Sequence, residues 1–268
     1  MHKYLIFWSA AMLIKTTILA IALSGVFASS LANEKPHKAK HDPTHWSYDG
    51  ESGPSHWGDM KSEFSLCRDG KQQSPINITE TYSHDLEPLQ FQYRDSKTNI
   101  QNNGHTIQLN YDPGSFLVIG NDRYQLLQFH FHTPSEEAVG GQRYPMVAHL
   151  VHKNEAGQLA VIAVLLNQGS NAQAMLAQFW DKFPKNHNET RNYDDIRYNI
   201  NDLLPSNRQY WTFMGSLTTP PCSEGVRWLV LKTPQTLSAA QIAHFEREFP
   251  MNARPIQSLQ QRAILESN

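Results

Sequence analysis

The chain opens on two apolar runs, residues 4–14 and 18–28, broken by Lys15 and the Thr16-Thr17 pair. Small residues follow, ending in Ser30-Leu31-Ala32, with Val26-Phe27-Ala28 an earlier stop of the same kind. A basic start, an apolar middle and a small-x-small end predict a secretory signal over residues 1–32. The competing reading is an uncleaved membrane anchor, because residues 4–28 nearly span a bilayer, but Lys15 in the middle argues against it. A polar leader over residues 33–44 carries His37 and His41, as a solvated tail or as metal-capturing imidazoles. The domain then occupies residues 45–268, and no later segment is apolar enough to cross a membrane.

Beyond the leader, short alternating or continuous apolar runs dominate. Ile107–Tyr111, Phe116–Ile119, Tyr124–His132, Met146–His152, Leu159–Leu166 and Val226–Lys232 read as strands, many separated by Gly, Pro, Asn and Asp. Helical spacing is rarer. It covers Asn171–Phe183, through Met175, Leu176, Phe179, Trp180 and Phe183. It also follows the capping box Ser238-Ala239-Ala240-Gln241, with Ile242, Phe245 and Phe249 on one face. There is no internal repeat and no linker within residues 45–262. The pattern predicts a single β-dominated mixed α/β domain, a large sheet with peripheral helices.

Composition narrows the chemistry. A formal net charge of -2 excludes a whole-chain basic nucleic-acid binder, and 40% hydrophobic residues exclude disorder. Two cysteines cannot build a four-cysteine zinc site. In an oxidising compartment Cys67 and Cys222 would form a disulfide, worth on the order of 4 kcal/mol by loop entropy; two buried thiols are the alternative. There is no phosphate-cradling Gly-rich loop, no His-Glu-x-x-His and no Gly-x-Ser-x-Gly.

Thirteen histidines remain to be explained. In Gln128-Phe129-His130-Phe131-His132, alternation puts Gln128, His130 and His132 on one face and the two phenylalanines on the other. A hairpin centred on Gly140-Gly141 sets His132 opposite His149, so that register gathers His130, His132 and His149. His152 falls on the other face. Three histidines without a fourth protein ligand suit a catalytic zinc with an open position, against the alternative of ordinary strand histidines.

At these residues the sequence resembles the α-class carbonic anhydrases, and specifically their exported bacterial members. The resemblance runs from about His45 to Arg262. It rests on Gln73-Ser74-Pro75-Ile76-Asn77-Ile78, Asn102-Asn103-Gly104-His105, Gln128-Phe129-His130-Phe131-His132, His149-Leu150-Val151-His152 and Gly215-Ser216-Leu217-Thr218-Thr219-Pro220-Pro221. It implies a mostly antiparallel twisted sheet of about ten strands and reversible hydration of carbon dioxide to bicarbonate and a proton, by attack of zinc-bound hydroxide. His130, His132 and His149 would hold Zn2+, with Gln128 accepting from His130. Thr218 would orient the hydroxide and donate to Glu136, and Thr219 would help place bicarbonate. Val151, Val161, Leu217, Val226 and Trp228 match the apolar carbon dioxide pocket. His105 matches the proton shuttle, titrating near 6.5 when unperturbed, and Tyr48, Asn103 and Gln108 match or approximate the residues that order the relay waters. Cys67 and Cys222 match the disulfide of exported members, which points to a periplasmic or secreted protein, and the resemblance allows a homodimer. A zinc-storing relative without activity and a zinc ester hydrolase are the alternative functions.

The chain departs from the family pattern at four positions. Gln108 is longer than the usual Asn. Phe213 and Ala253 replace a tyrosine and a tryptophan, the latter change expected to alter packing more than chemistry. Val147 stands where many members carry a glutamate that accepts the third histidine's second N–H. Losing such an acceptor typically costs roughly 10–100-fold in metal affinity or activity. Weaker or faster-exchanging zinc is therefore expected, with His149 turning to Glu137, water or a backbone carbonyl.

Overall fold

The computed structural model describes residues 45–268; the expected signal, leader and cleavage point lie outside the described residues. A sheet of 13 strands runs through the domain. Ten of them form one path, in the order Glu189–Tyr198, Ser96–Asn102, Ile107–Asn110, Asp122–His132, Met146–Lys153, Leu159–Gly169, Glu224–Leu231, Tyr210–Ser216, Leu265–Ser267 and Tyr82–His84. Along that path only Leu159–Gly169 with Glu224–Leu231, and Leu265–Ser267 with Tyr82–His84, pair in parallel. The expected large, mostly antiparallel sheet is present.

Side-chain alternation divides the central strands between two apolar clusters. Phe129, Phe131, Leu150 and Ile162 point into the larger one, where Phe179 and Phe245 from outside the sheet cover them. Val147, Val161, Ala163 and Trp228 belong to the other cluster, on the face that also carries the candidate histidines. Leu159–Gly169 lies between two strands and under both clusters, so its apolar run is continuous over Ala160–Leu166 rather than alternating. Each large side chain fully buried here contributes about 1.5–3 kcal/mol.

The hairpin register differs from expectation by two residues. Gly140 and Gly141, both at positive φ, do form the turn, and next to it Ala138 pairs with Arg143 and Val139 with Gln142. Between the long strands, however, His149 faces His130 and Val147 faces His132. The arm leaving His132 is two residues longer than the arm returning from the turn, and it holds Glu136 and Glu137, both fully buried. A slip of two preserves side-chain parity, so the three histidines still share a face.

The helix expected over 171–183 is one turn, Ala174–Ala177, capped by the Gln173 side chain accepting from Leu176 N–H. Met175, Leu176, Phe179, Trp180 and Phe183 are all buried, so the spacing reported burial correctly while turns carry the rest of the segment. The second helix, Ala239–Glu248, has the expected capping box at Ser238 and Gln241 and ends before Pro250.

Candidate metal centre and active-site cavity

The rings of His130, His132 and His149 have centroids 5.0, 5.5 and 4.8 Å apart. Each ring has one nitrogen facing outward to an acceptor. His130 Nδ1 meets Gln128 Oε1 at 2.9 Å, as expected for Gln128. His132 Nδ1 meets the Asn252 carbonyl at 2.6 Å. His149 Nε2 meets both oxygens of Glu137, at 3.1 and 3.2 Å. An acceptor at the outer nitrogen puts the proton there and turns the lone pair of the inner nitrogen inward. The inner set is therefore His130 Nε2, His132 Nε2 and His149 Nδ1, within the span that one cation can bridge. His132 Nε2 is buried with no partner among the described residues, a state costing about 1–3 kcal/mol unless something binds it. The donor set and that orphaned nitrogen fit a divalent, imidazole-preferring metal such as zinc.

Burial, then His132 and His149, holds His130 well below the usual histidine range, and burial lowers His132 despite Glu136. Burial also opposes a charged His149, but Glu137 and then Glu136 outweigh it and raise its pKa. Glu137 stays below the ordinary carboxylate range because His149 outweighs its burial. It is thus an anionic acceptor, and the missing carboxylate at Val147 is replaced from the irregular segment between His132 and Ala138. Of the three acceptors expected for His149, Glu137 is the one in contact with it. Val147 itself is fully buried in the second apolar cluster.

Glu136 Oε1 accepts from the Arg254 N–H at 2.8 Å. Its Oε2 lies 3.5 Å from His132 Nε2 and 3.8 Å from His149 Nδ1, with no hydrogen-bond partner. The expected Thr218–Glu136 hydrogen bond is not formed here, although Thr218 is buried beside the same histidines. A cavity of about 170 Å³ opens over the histidines. Val151, Val161, Leu217 and Trp228 make its apolar wall; Tyr48, Asn103, His105, Gln108, Thr218 and Thr219 bring polar groups. Val226 is buried in the same apolar cluster as Val161 and Trp228, opposite Gly215.

The family profile described as "Eukaryotic-type carbonic anhydrase" matches residues 52–268. The chain belongs to that family. A carbonic anhydrase from Pectobacterium carotovorum is 43% identical over 250 residues, covering 92% of this chain and 97% of that protein. The α-carbonic anhydrase of Thermovibrio ammonificans, solved with the inhibitor sulfanilamide, superposes with a TM-score of 0.80 at 39% identity, over 83% of this chain and 99% of that one. The Photobacterium profundum α-carbonic anhydrase gives 0.78 at 44%, over 82% and 100%. Family and relatives are lyases, and α-carbonic anhydrases use zinc.

The polar positions around the cavity are held by their own contacts in this carbonic anhydrase. Gly104, at φ +87°, turns the chain beneath His105, whose ring stacks on Trp46 with centroids 3.5 Å apart and lies 4.9 Å from His45. Burial there, then His45 and His187, lowers the His105 pKa to about 4, below the value near neutrality expected from an unperturbed imidazole. Asn103 Oδ1 already accepts the N–H groups of His105 and Thr106, so only its amide nitrogen is left for water. Gln108 Nε2 donates to Asn110. Tyr48 keeps its proton: burial, then Glu136, raises its pKa well above the usual phenol value.

Cys67 and Cys222 are bridged across 155 residues, as expected. Cys222 N–H donates to the Thr219 carbonyl at 2.9 Å and its own carbonyl accepts from Gln73 Nε2, so the bridge braces the Thr218 loop. Phe213 lies parallel to Trp228, and Ala253 is buried. Sequence reasoning missed Asn252, Arg254, Trp46 and Thr106. Arg254 is buried and donates to Gln73 Oε1, Ser74 O and Cys67 O, which gives the Gln73-Ser74 motif a structural reason. Among the described residues no helix is long and apolar enough to cross a membrane.

Proposed function

We propose that this chain catalyses reversible hydration of carbon dioxide to bicarbonate and a proton, with Zn2+ held by His130, His132 and His149. The observation that carries the proposal is the pairing of all three outward nitrogens, which leaves three inward lone pairs beneath an open cavity. Zinc bound there supplies a Lewis acid that lowers the pKa of water to about 7, a value established for carbonic anhydrases themselves.

The chain's own residues do the rest. Gln128, Asn252 and Glu137 fix the three rings. Val151, Val161, Leu217 and Trp228 give apolar carbon dioxide a dry surface beside the histidines, while the Thr218 hydroxyl orients the attacking oxygen and Thr219 helps place bicarbonate. The buried, unpartnered Glu136 Oε2 is the acceptor available to the Thr218 hydroxyl. Proton export falls to His105, with Tyr48, Asn103 and Gln108 ordering the intervening waters. Stacked on Trp46, its imidazole is a poor base, so the ring must turn toward solvent, where its pKa returns toward 6.5. The disulfide and the apolar first thirty residues support export to the periplasm or medium. Chelation should abolish hydration and stoichiometric zinc should restore it; activity that persists in metal-free protein would defeat the proposal.

A further inference from the structure

Asn252 touches both halves of the proposed cycle. It lies in an irregular segment 120 residues beyond His132 and is 2% exposed. Its backbone carbonyl accepts from His132 Nδ1 at 2.6 Å, and its backbone N–H donates to Thr133 O at 3.1 Å. Its side chain does three further things. Oδ1 accepts from Thr133 N–H at 2.7 Å, while Nδ2 donates to Phe131 O and to His105 O, each at 3.0 Å. One amide thus binds the strand end carrying His132 to the loop carrying His105. The chemistry needs an acceptor and two donors at the end of a short side chain. Aspartate keeps the acceptor but not the paired donors, and glutamine is a methylene too long.

We propose that Asn252 is a positioning residue: its side-chain amide holds the His105 loop at a fixed distance from the metal centre. Its backbone carbonyl, which no substitution removes, serves His132. The proposal rests on His105 as the proton shuttle. Loss of the amide then slows proton export and spares both the metal site and the carbon dioxide step.

The test uses the full mature protein with Asn252→Ala, Asn252→Asp and His105→Ala. Asn252→Asp keeps an acceptor for Thr133 and guards against a merely unfolded Asn252→Ala. Carbon dioxide hydration is followed over a range of buffer concentrations, together with zinc release to a chelator. Expected for both Asn252 variants are a kcat at low buffer at least about fivefold lower, a kcat/KM within about twofold of wild type, and recovery of kcat by imidazole buffer. Zinc release should stay within about twofold, and adding Asn252→Asp to His105→Ala should cause no further loss. Equal losses in kcat and kcat/KM, or faster zinc release, would make the role structural and overturn the proposal. It would also be overturned if His105→Ala shows the buffer-rescued loss and the Asn252 variants do not. If His105→Ala itself loses nothing at low buffer, the shuttle reading fails, and the proposal with it.

Discussion

Glu137→Gln and Glu137→Ala test whether this chain has relocated the carboxylate that serves its third histidine. Both Glu137 oxygens lie within 3.2 Å of His149 Nε2, and both residues are almost fully enclosed. Val147, on the strand of His149, offers no acceptor. Removing Glu137 therefore leaves the His149 N–H buried without a partner, and the ring loses its orienting anion. Loss of such an acceptor costs roughly 10–100-fold in metal affinity, equivalent to about 1.4–2.8 kcal/mol. Glutamine retains one neutral acceptor oxygen, so Glu137→Gln should fall near the lower figure and Glu137→Ala near the upper. The assay is zinc release from the loaded protein to a chelating dye at neutral pH, alongside a melting curve. In the double variant Glu137→Ala/Val147→Glu, a carboxylate returned to the histidine's own strand should recover most of the lost affinity. Zinc release by Glu137→Gln and Glu137→Ala within twofold of wild type would refute the reasoning, because the observed contact would then carry no energy.

Three further outcomes follow from the geometry. His152, fully buried with Nε2 2.7 Å from Tyr93 Oη, has its pKa lowered to about 4 by burial. Its folded pKa is below the unfolded value, so its contribution is complete above pH 6.5 and declines as pH falls toward 4. That is about 3 kcal/mol, and denaturation profiles across this window should flatten in His152→Gln. Reducing the Cys67–Cys222 bridge should cost about 4 kcal/mol and lower turnover through the Thr218 loop; full activity with the bridge open would separate the two effects. Thr218→Ala and Glu136→Gln should each lower kcat/KM about 100-fold. Because the proposed mechanism has them act on the attacking oxygen as one pair, they should lose little more together; fully additive losses would show that they act apart.

Local periodicity made much of the site legible. Alternation through Gln128–His132 and Met146–His152 put Gln128, His130, His132 and His149 on one face, with Phe129, Phe131 and Leu150 on the other. Parity survived a register error of two because strand faces repeat every second residue. The error itself lay in Glu136 and Glu137, polar positions with no strand signal, whose burial depends on the histidines opposite. Asn252 and Arg254 were illegible for a different reason: their partners lie more than a hundred residues away, and no local pattern marks them. The sequence supplied the chemistry of His105 but not its stack on Trp46, so its depressed pKa could not be read.

The central claim is that three inward-facing imidazoles hold a zinc that hydrates carbon dioxide. Stopped-flow hydration, followed by an indicator dye on protein of known metal content, tests it most directly. One zinc per chain is expected, with a hydration rate far above that of buffer, proportional to bound zinc and lost on chelation. Fully zinc-loaded protein that hydrates carbon dioxide no faster than buffer alone would contradict it.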